Sequence, residues 1–264
     1  MKRIGLFYGA FDPITNIDIK QALLALKKHN FDHIEFVIEP NDHYRHQYHL
    51  VKLAINHYRR LKIFKRYDKN FEYVKLDFES LGITNGTFNE LNKAVVRYCH
   101  DNCLYIEEIL SEVLTKKRYE HVLSTATLCK ELASHYRIDA NKAYLAGLLH
   151  DLTKELTKDE QERLMRIYFK DKLDTNAKTW HQYTAMIKAK QDFMITDNDI
   201  IKAIGNHVNG THDGLLSKIV YCSDKIEDNR GFDNVTLKKK CFKNIDKAFN
   251  MIKTEQYKYI NGGN

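Results

Sequence analysis

The chain lacks the marks of an exported, membrane-bound or cysteine-built protein. Its 264 residues include five cysteines, at 99, 103, 129, 222 and 241, and no two form a Cys-x-x-Cys pair. The odd count, the lack of a secretory leader and the lack of an apolar run near 18 residues predict a reduced, soluble, cytoplasmic protein with no membrane span. Cys99 and Cys103, four apart, are expected on one buried helix face. Proline occurs twice, and no flexible linker, internal repeat or low-complexity tract is visible. No Lys/Arg cluster reads as a binding arm: Lys238-Lys239-Lys240 is short and reads as the solvated face of a helix.

Hydrophobic residues make up 43% of the chain, enough for a core in one large domain or two modest ones. The net charge of +7 suits a polyanionic partner, but it is modest for this length. A lysine-rich, proline-poor composition accounts for it, and no nucleic-acid partner is expected.

The periodicity changes along the chain. Strands are predicted at 3–9, 33–39 and 71–76, with helices at 17–28 and 45–60 between them. Strand–helix alternation of this kind marks a parallel α/β sheet. From about Cys103 the pattern is helical throughout. Ile106, Ile109, Leu110, Val113 and Leu114 recur at helical spacing, and helices are predicted over 118–136, 139–154, 158–170, 178–193, 197–208, 214–227 and 234–259. Thr157 and Thr196 read as N-caps, each with an acid three positions on. Asn209-Gly210 and Asp213-Gly214 read as turns. The expected fold is a parallel α/β domain over 1–107 followed by an all-α domain over 108–264.

Directly after the first strand stands Gly9-Ala10-Phe11-Asp12-Pro13-Ile14, a tight turn leading to a helix N-terminus, where phosphates commonly bind. The segment resembles the nucleotidyltransferase superfamily, in particular nicotinate-nucleotide adenylyltransferases, whose loop reads G-G-T-F-D-P-I-H-x-G-H. Thr15 and Asp18 stand where that resemblance calls for the two histidines that bind ATP phosphates. A neutral hydroxyl and a carboxylate do not replace them, and no adenylyl transfer is expected; the resemblance implies a degenerate, truncated Rossmann-like domain over 1–107.

The second half carries a different set. His150-Asp151 follows the apolar run 145–149, where a carboxylate is costly unless it is paired or coordinating. His121 precedes it, and His181, His207 and Asp224 follow, each on its own predicted helix. Singly, each reads as an ordinary helix-face or capping residue. The joint order H…HD…H…H…D resembles the HD-domain superfamily. The surrounding words, Arg118-Tyr119-Glu120-His121, 148–155, 206–210 and Cys222-Ser223-Asp224-Lys225-Ile226-Glu227, resemble the YqeK family of symmetrical bis(5′-nucleosyl)-tetraphosphatases. The family's usual Leu-Leu-His-Gly reads Thr179-Trp180-His181-Gln182 here.

That resemblance implies two divalent metal ions, iron in the family, held by His121, His150, Asp151, His181, His207 and Asp224. Imidazole and carboxylate ligands also admit Mn, Co or Zn. It implies symmetrical cleavage of diadenosine tetraphosphate (Ap4A) to two ADP. Asp151 and Lys154 are the candidate catalytic residues, and Lys154, expected one helical turn from His150, Arg230, and His212, close to His207, are candidate substrate contacts. Two other readings stay open: an HD phosphohydrolase of another nucleotide, and a nucleotide-binding regulatory protein.

Overall fold

The computed structural model describes residues 1–83, 86–228 and 234–262. The chain divides into two compact units, Met1–Cys99 and His100–Asn264. No helix among the described residues is long and apolar enough to cross a membrane.

The first unit is built on a four-stranded parallel sheet of order β3-β2-β1-β4. Strand β1 (Lys2–Gly9) lies between β2 (His33–Ile38) and β4 (Phe71–Lys75), while β3 (Leu61–Ile63) forms the far edge. Helices α1 (Asn16–Lys28) and α2 (Tyr44–Ile55) make the crossovers that parallel pairing requires. Phe7, Phe11 and Phe36 meet at ring-centroid distances of 5.2–5.4 Å in its core.

The turn after β1 differs from a phosphate loop in one respect. Thr15 caps α1 by accepting from the Asp18 backbone N–H, and Asp18 accepts in return from Thr15 N (2.7 Å) and Thr15 Oγ1 (2.9 Å). Both side chains are buried. The two residues standing at the histidine positions thus form a capping box, and the helix end is answered by its own carboxylate.

Helix α3 (Lys93–Asn102) contains the division between units. Cys99 is fully buried, but Cys103 falls just past the end of α3 and is half-buried, so the two cysteines do not share a helix face. The second unit is helical: α4 (Ile106–Val113), α5 (Lys116–His135), α6 (Ala140–Leu149), α7 (Lys158–Tyr168), α8 (His181–Asp192), α9 (Asn198–Asn206), α10 (Leu215–Ile226), α11 (Val235–Lys243) and α12 (Ile245–Gly262). The single helix expected over 234–259 is two, broken at Asn244, whose backbone is extended. Thr157 caps α7 with Glu160 in a capping box, as its spacing predicts. At α9 the cap is Asp197, not Thr196. The Asp197 carboxylate accepts from Asp199 N at 2.8 Å and Ile200 N at 3.2 Å.

Candidate metal centre

Five helices deliver six side chains to one buried point. On α5, Arg118 and His121 are three residues apart and share a face. Helix α6 is buried along Ala143 and 145–149, and it lies against α5 because Gly147 has no side chain. A Cβ there would sit 2.6 Å from Ala126 Cα. The helix ends at Leu149, so His150 and Asp151 occupy its C-terminal cap and the following turn, not the interior of a helix over 139–154. His181 is the first residue of α8, anchored where Thr153 Oγ1 donates to its carbonyl at 3.1 Å. His207 is the C-cap of α9, and Asp224 lies in the last turn of α10.

Asp151 stands at the centre and divides the set between its two oxygens. Oδ2 faces His121 Nε2 at 3.6 Å and His150 Nε2 at 3.8 Å. Oδ1 faces His181 Nε2 and His207 Nε2, each at 3.4 Å. Asp224 Oδ1 completes the first side, 3.3 Å from His121 Nε2 and 3.6 Å from His150 Nε2. Two groups able to hold a cation result, His121–His150–Asp151 and Asp151–His181–His207, all buried.

The imidazole orientations fit cations. His150 Nδ1 lies 2.6 Å from the Gly147 carbonyl, and His207 Nδ1 lies 2.7 Å from that of Ile204. A carbonyl only accepts, so each Nδ1 carries the proton and each Nε2 presents a lone pair. His121 Nδ1 donates likewise to Glu227 Oε1 at 3.0 Å. In these tautomers the His121 and His150 Nε2 atoms face each other at 3.2 Å. Burial opposes a charge on His121, but Asp224 and Glu227 outweigh it and raise its pKa, so the position is one that a proton or a cation fills. His207 Nε2 faces His181 Nε2 at 3.1 Å. A cation between such atoms supplies what neither can donate. An outward N–H held by a backbone carbonyl or carboxylate is the usual support of a metal-binding histidine.

The buried carboxylates need positive charge beside them. Burial disfavours ionised Asp151, but His150 and His207, when protonated, outweigh it and hold the carboxyl well below its ordinary range; a cation bound to their lone pairs would supply the same charge. For Asp224, burial is outweighed by Lys225, whose Nζ donates to Oδ2 at 2.6 Å, and by His121 and His150. Burial and the neighbouring His207 press His181 down to about 3, which keeps it an acceptor.

The six predicted ligands converge. Lys154 joins them: its Nζ lies 3.2 Å and 3.1 Å from the two ring nitrogens of His181. It reaches there from a turn after α6. His212 makes no hydrogen bond to the six among the described residues. Its Nδ1 accepts from Gly214 N at 3.2 Å and lies 3.0 Å from Ser217 Oγ. Arg230 lies outside the described residues. Two groups had no assigned role: Arg118, whose Nη1 donates to Asp151 Oδ2 at 2.6 Å, and Glu227. Their positions, three before His121 and three after Asp224, were the available signal. At the Trp180-His181-Gln182 departure, Trp180 Nε1 and the Gln182 amide are buried without a partner among the described residues.

The HD domain pattern matches residues 118–247. A Mycoplasma genitalium protein named probable nicotinate-nucleotide adenylyltransferase/Ap4A hydrolase is 36% identical over 141 residues, 52% of this chain and 39% of that protein. A symmetrical bis(5′-nucleosyl)-tetraphosphatase of Bacillus subtilis is 31% identical over 132 residues, 48% of this chain and 69% of that one. The matches to the Mycoplasma genitalium relative and its Mycoplasma pneumoniae counterpart thus span less than half of those proteins' lengths, 39% and 49%. A Clostridium acetobutylicum crystal structure, described as a predicted HD superfamily hydrolase involved in NAD metabolism, superposes with a TM-score of 0.55 at 30% identity. The superposition covers 60% of this chain and 87% of that one.

Proposed function

The chain belongs to the HD-domain hydrolase family, and from that premise we propose that it cleaves Ap4A symmetrically into two ADP. Water adds across the central phosphoanhydride, and each half of the substrate leaves with two phosphates. The observation that carries this reading is the shared carboxylate: Asp151 turns one oxygen to each of two imidazole pairs. Two divalent cations, when bound by His121, His150, Asp151, His181, His207 and Asp224, supply Lewis acidity and make water a nucleophile near neutral pH. Iron is the expected metal through the family, while the donors also accept Mn, Co or Zn. The substrate is taken from the names of the tetraphosphatase relatives.

The protein's own groups do the rest. Arg118 holds Asp151 by Oδ2, fixing the plane of the shared carboxylate. Gly147 and Ile204 fix the tautomers of His150 and His207. Lys154 offers an ammonium beside His181 to a phosphate oxygen. The first unit carries no adenylyl transfer in this reading, because Thr15 and Asp18 are bonded to each other at the helix end where phosphates would enter.

The test is direct. The purified full chain is assayed for bound metal and incubated with Ap4A, and ADP is resolved from AMP plus ATP. ADP alone, lost in a folded Asp151→Ala variant, is the expected result. AMP plus ATP, or no turnover with the metals bound, sinks the proposal, and turnover of another nucleotide in the same panel redirects it.

A further inference from the structure

We propose that the β3 edge of the first unit binds single-stranded nucleic acid. A cavity of about 350 Å³ by His212 in the second unit is smaller than the one at this edge, which encloses about 510 Å³. Tyr48 and Lys52 of α2, Tyr58 of the following turn, and Lys62, Lys65 and Arg66 at and beyond β3 line it. Glu35 is the one acid in the lining. None of these four cations makes an ion pair among the described residues, whereas Arg60 beside them is bonded to the Phe31 and Asp32 carbonyls. The charge here is therefore available. It is also dense, with five of the eight residues over 59–66 being Lys or Arg.

The aromatic rings argue for bases as well as phosphates. Tyr48 and Tyr58 are 37% and 38% exposed, large rings held at a groove wall and not withdrawn into the core. A basic groove interleaved with exposed aromatics binds single strands by backbone neutralisation and base stacking. Lys62 and Arg66, four residues apart, can span up to roughly 14 Å of extended chain, more than one phosphate occupies. The edge position matters too. β3 has a neighbour on one side only, so nothing in the sheet covers this face. A duplex would present no exposed base to the tyrosines. This departs from the expectation that no nucleic acid is bound: the overall charge is modest, but the run over 59–66 concentrates five Lys or Arg at one edge.

The experiment uses the full chain and a fluorescein-labelled twelve-residue oligouridylate, read by anisotropy over a range of salt concentrations. The triple variant Lys62→Gln/Lys65→Gln/Arg66→Gln is expected to lose about tenfold or more in affinity. It should also flatten the slope of log affinity against log salt by about 2, three contacts at ~0.7 each. Tyr58→Ala should weaken binding at an unchanged slope, and Lys62→Arg/Lys65→Arg should retain it. All substituted residues are solvent-exposed or at the groove wall, and thermal melts check that each variant folds. Absence of binding at low salt overturns the proposal, as does binding indifferent to the triple variant. So does equal competition by a duplex or by inorganic polyphosphate together with no effect of Tyr58→Ala.

Discussion

Glu227 accepts from His121 Nδ1 and so fixes which nitrogen faces the centre. Removing such an outer partner typically costs 10–100-fold in metal affinity. Glu227→Ala is therefore expected to weaken metal retention by about that factor in chelator competition, while Glu227→Gln, which keeps an accepting oxygen, retains more of it. Unchanged retention in the alanine variant would remove Glu227 from the site. A second residue carries a different expectation. The Gln182 amide is buried and without a partner among the described residues. Replacing such a group by an apolar one of similar size is neutral or stabilising, so Gln182→Leu should leave the melting temperature unchanged or raise it. A clear fall would mean that the amide is satisfied by water. The six candidate ligands were legible only as a set, through the order H…HD…H…H…D, since singly each reads as an ordinary helix-face or capping residue. Arg118 and Glu227 were not, because an ordinary Arg or Glu acquires such a role only by meeting a partner 33 or 106 residues away.

At the scale of elements, the close approach of α5 and α6 rests on Gly147. Alanine there improves helix propensity by up to about 1 kcal/mol, but its Cβ would meet the Ala126 backbone at 2.6 Å. Overpacking of this kind costs about 1–3 kcal/mol, so Gly147→Ala is expected to lower stability in urea unfolding. A stabilised variant would show that the helices separate freely. The cap of α9 gives a pH-dependent prediction. Burial opposes ionisation of Asp197, but Lys142 and the Ile200 and Asp199 N–H groups outweigh it and lower its pKa. A depressed carboxyl stabilises the fold above the ordinary value of about 3.9 and loses that contribution as pH falls through the lower folded value. Asp197→Ala should cost about 1 kcal/mol at pH 7, and the difference from the parent should close as the pH falls below the ordinary carboxyl value and through the lower folded one. A gap constant over that range would assign the effect to something other than the carboxylate. Long periodic helices and the Thr157 cap were readable from spacing. β3 was not, since three residues with one buried leave no period to detect. The α9 cap was displaced by one because Thr196 and Asp197 are both capping residues, and the carboxylate that takes two N–H groups prevails.

For the molecule as a whole, ions that bind only the folded state stabilise it by mass action, about 2.7 kcal/mol at a hundredfold excess over Kd. All six candidate ligands are 8% exposed or less, so they converge only when five helices are assembled. Chelation is therefore expected to lower the melting temperature, with recovery on adding divalent metal, and Asp151→Ala should abolish the metal-dependent shift. A melting temperature indifferent to chelator and metal would contradict a centre that joins these helices. The two-part architecture was legible in the change from alternating to helical periodicity, whereas the convergence of α5, α6, α8, α9 and α10 on one carboxylate was not, being a property of packing. The bonded pair at the start of α1 has a consequence of its own. Replacing Thr15 alone strips a partner from a buried acid, and replacing Asp18 alone leaves the Thr15 N–H and hydroxyl without their acceptor. Each single step toward a phosphate-binding loop thus passes through a less stable protein, and the pair works as a ratchet that a simultaneous double change releases.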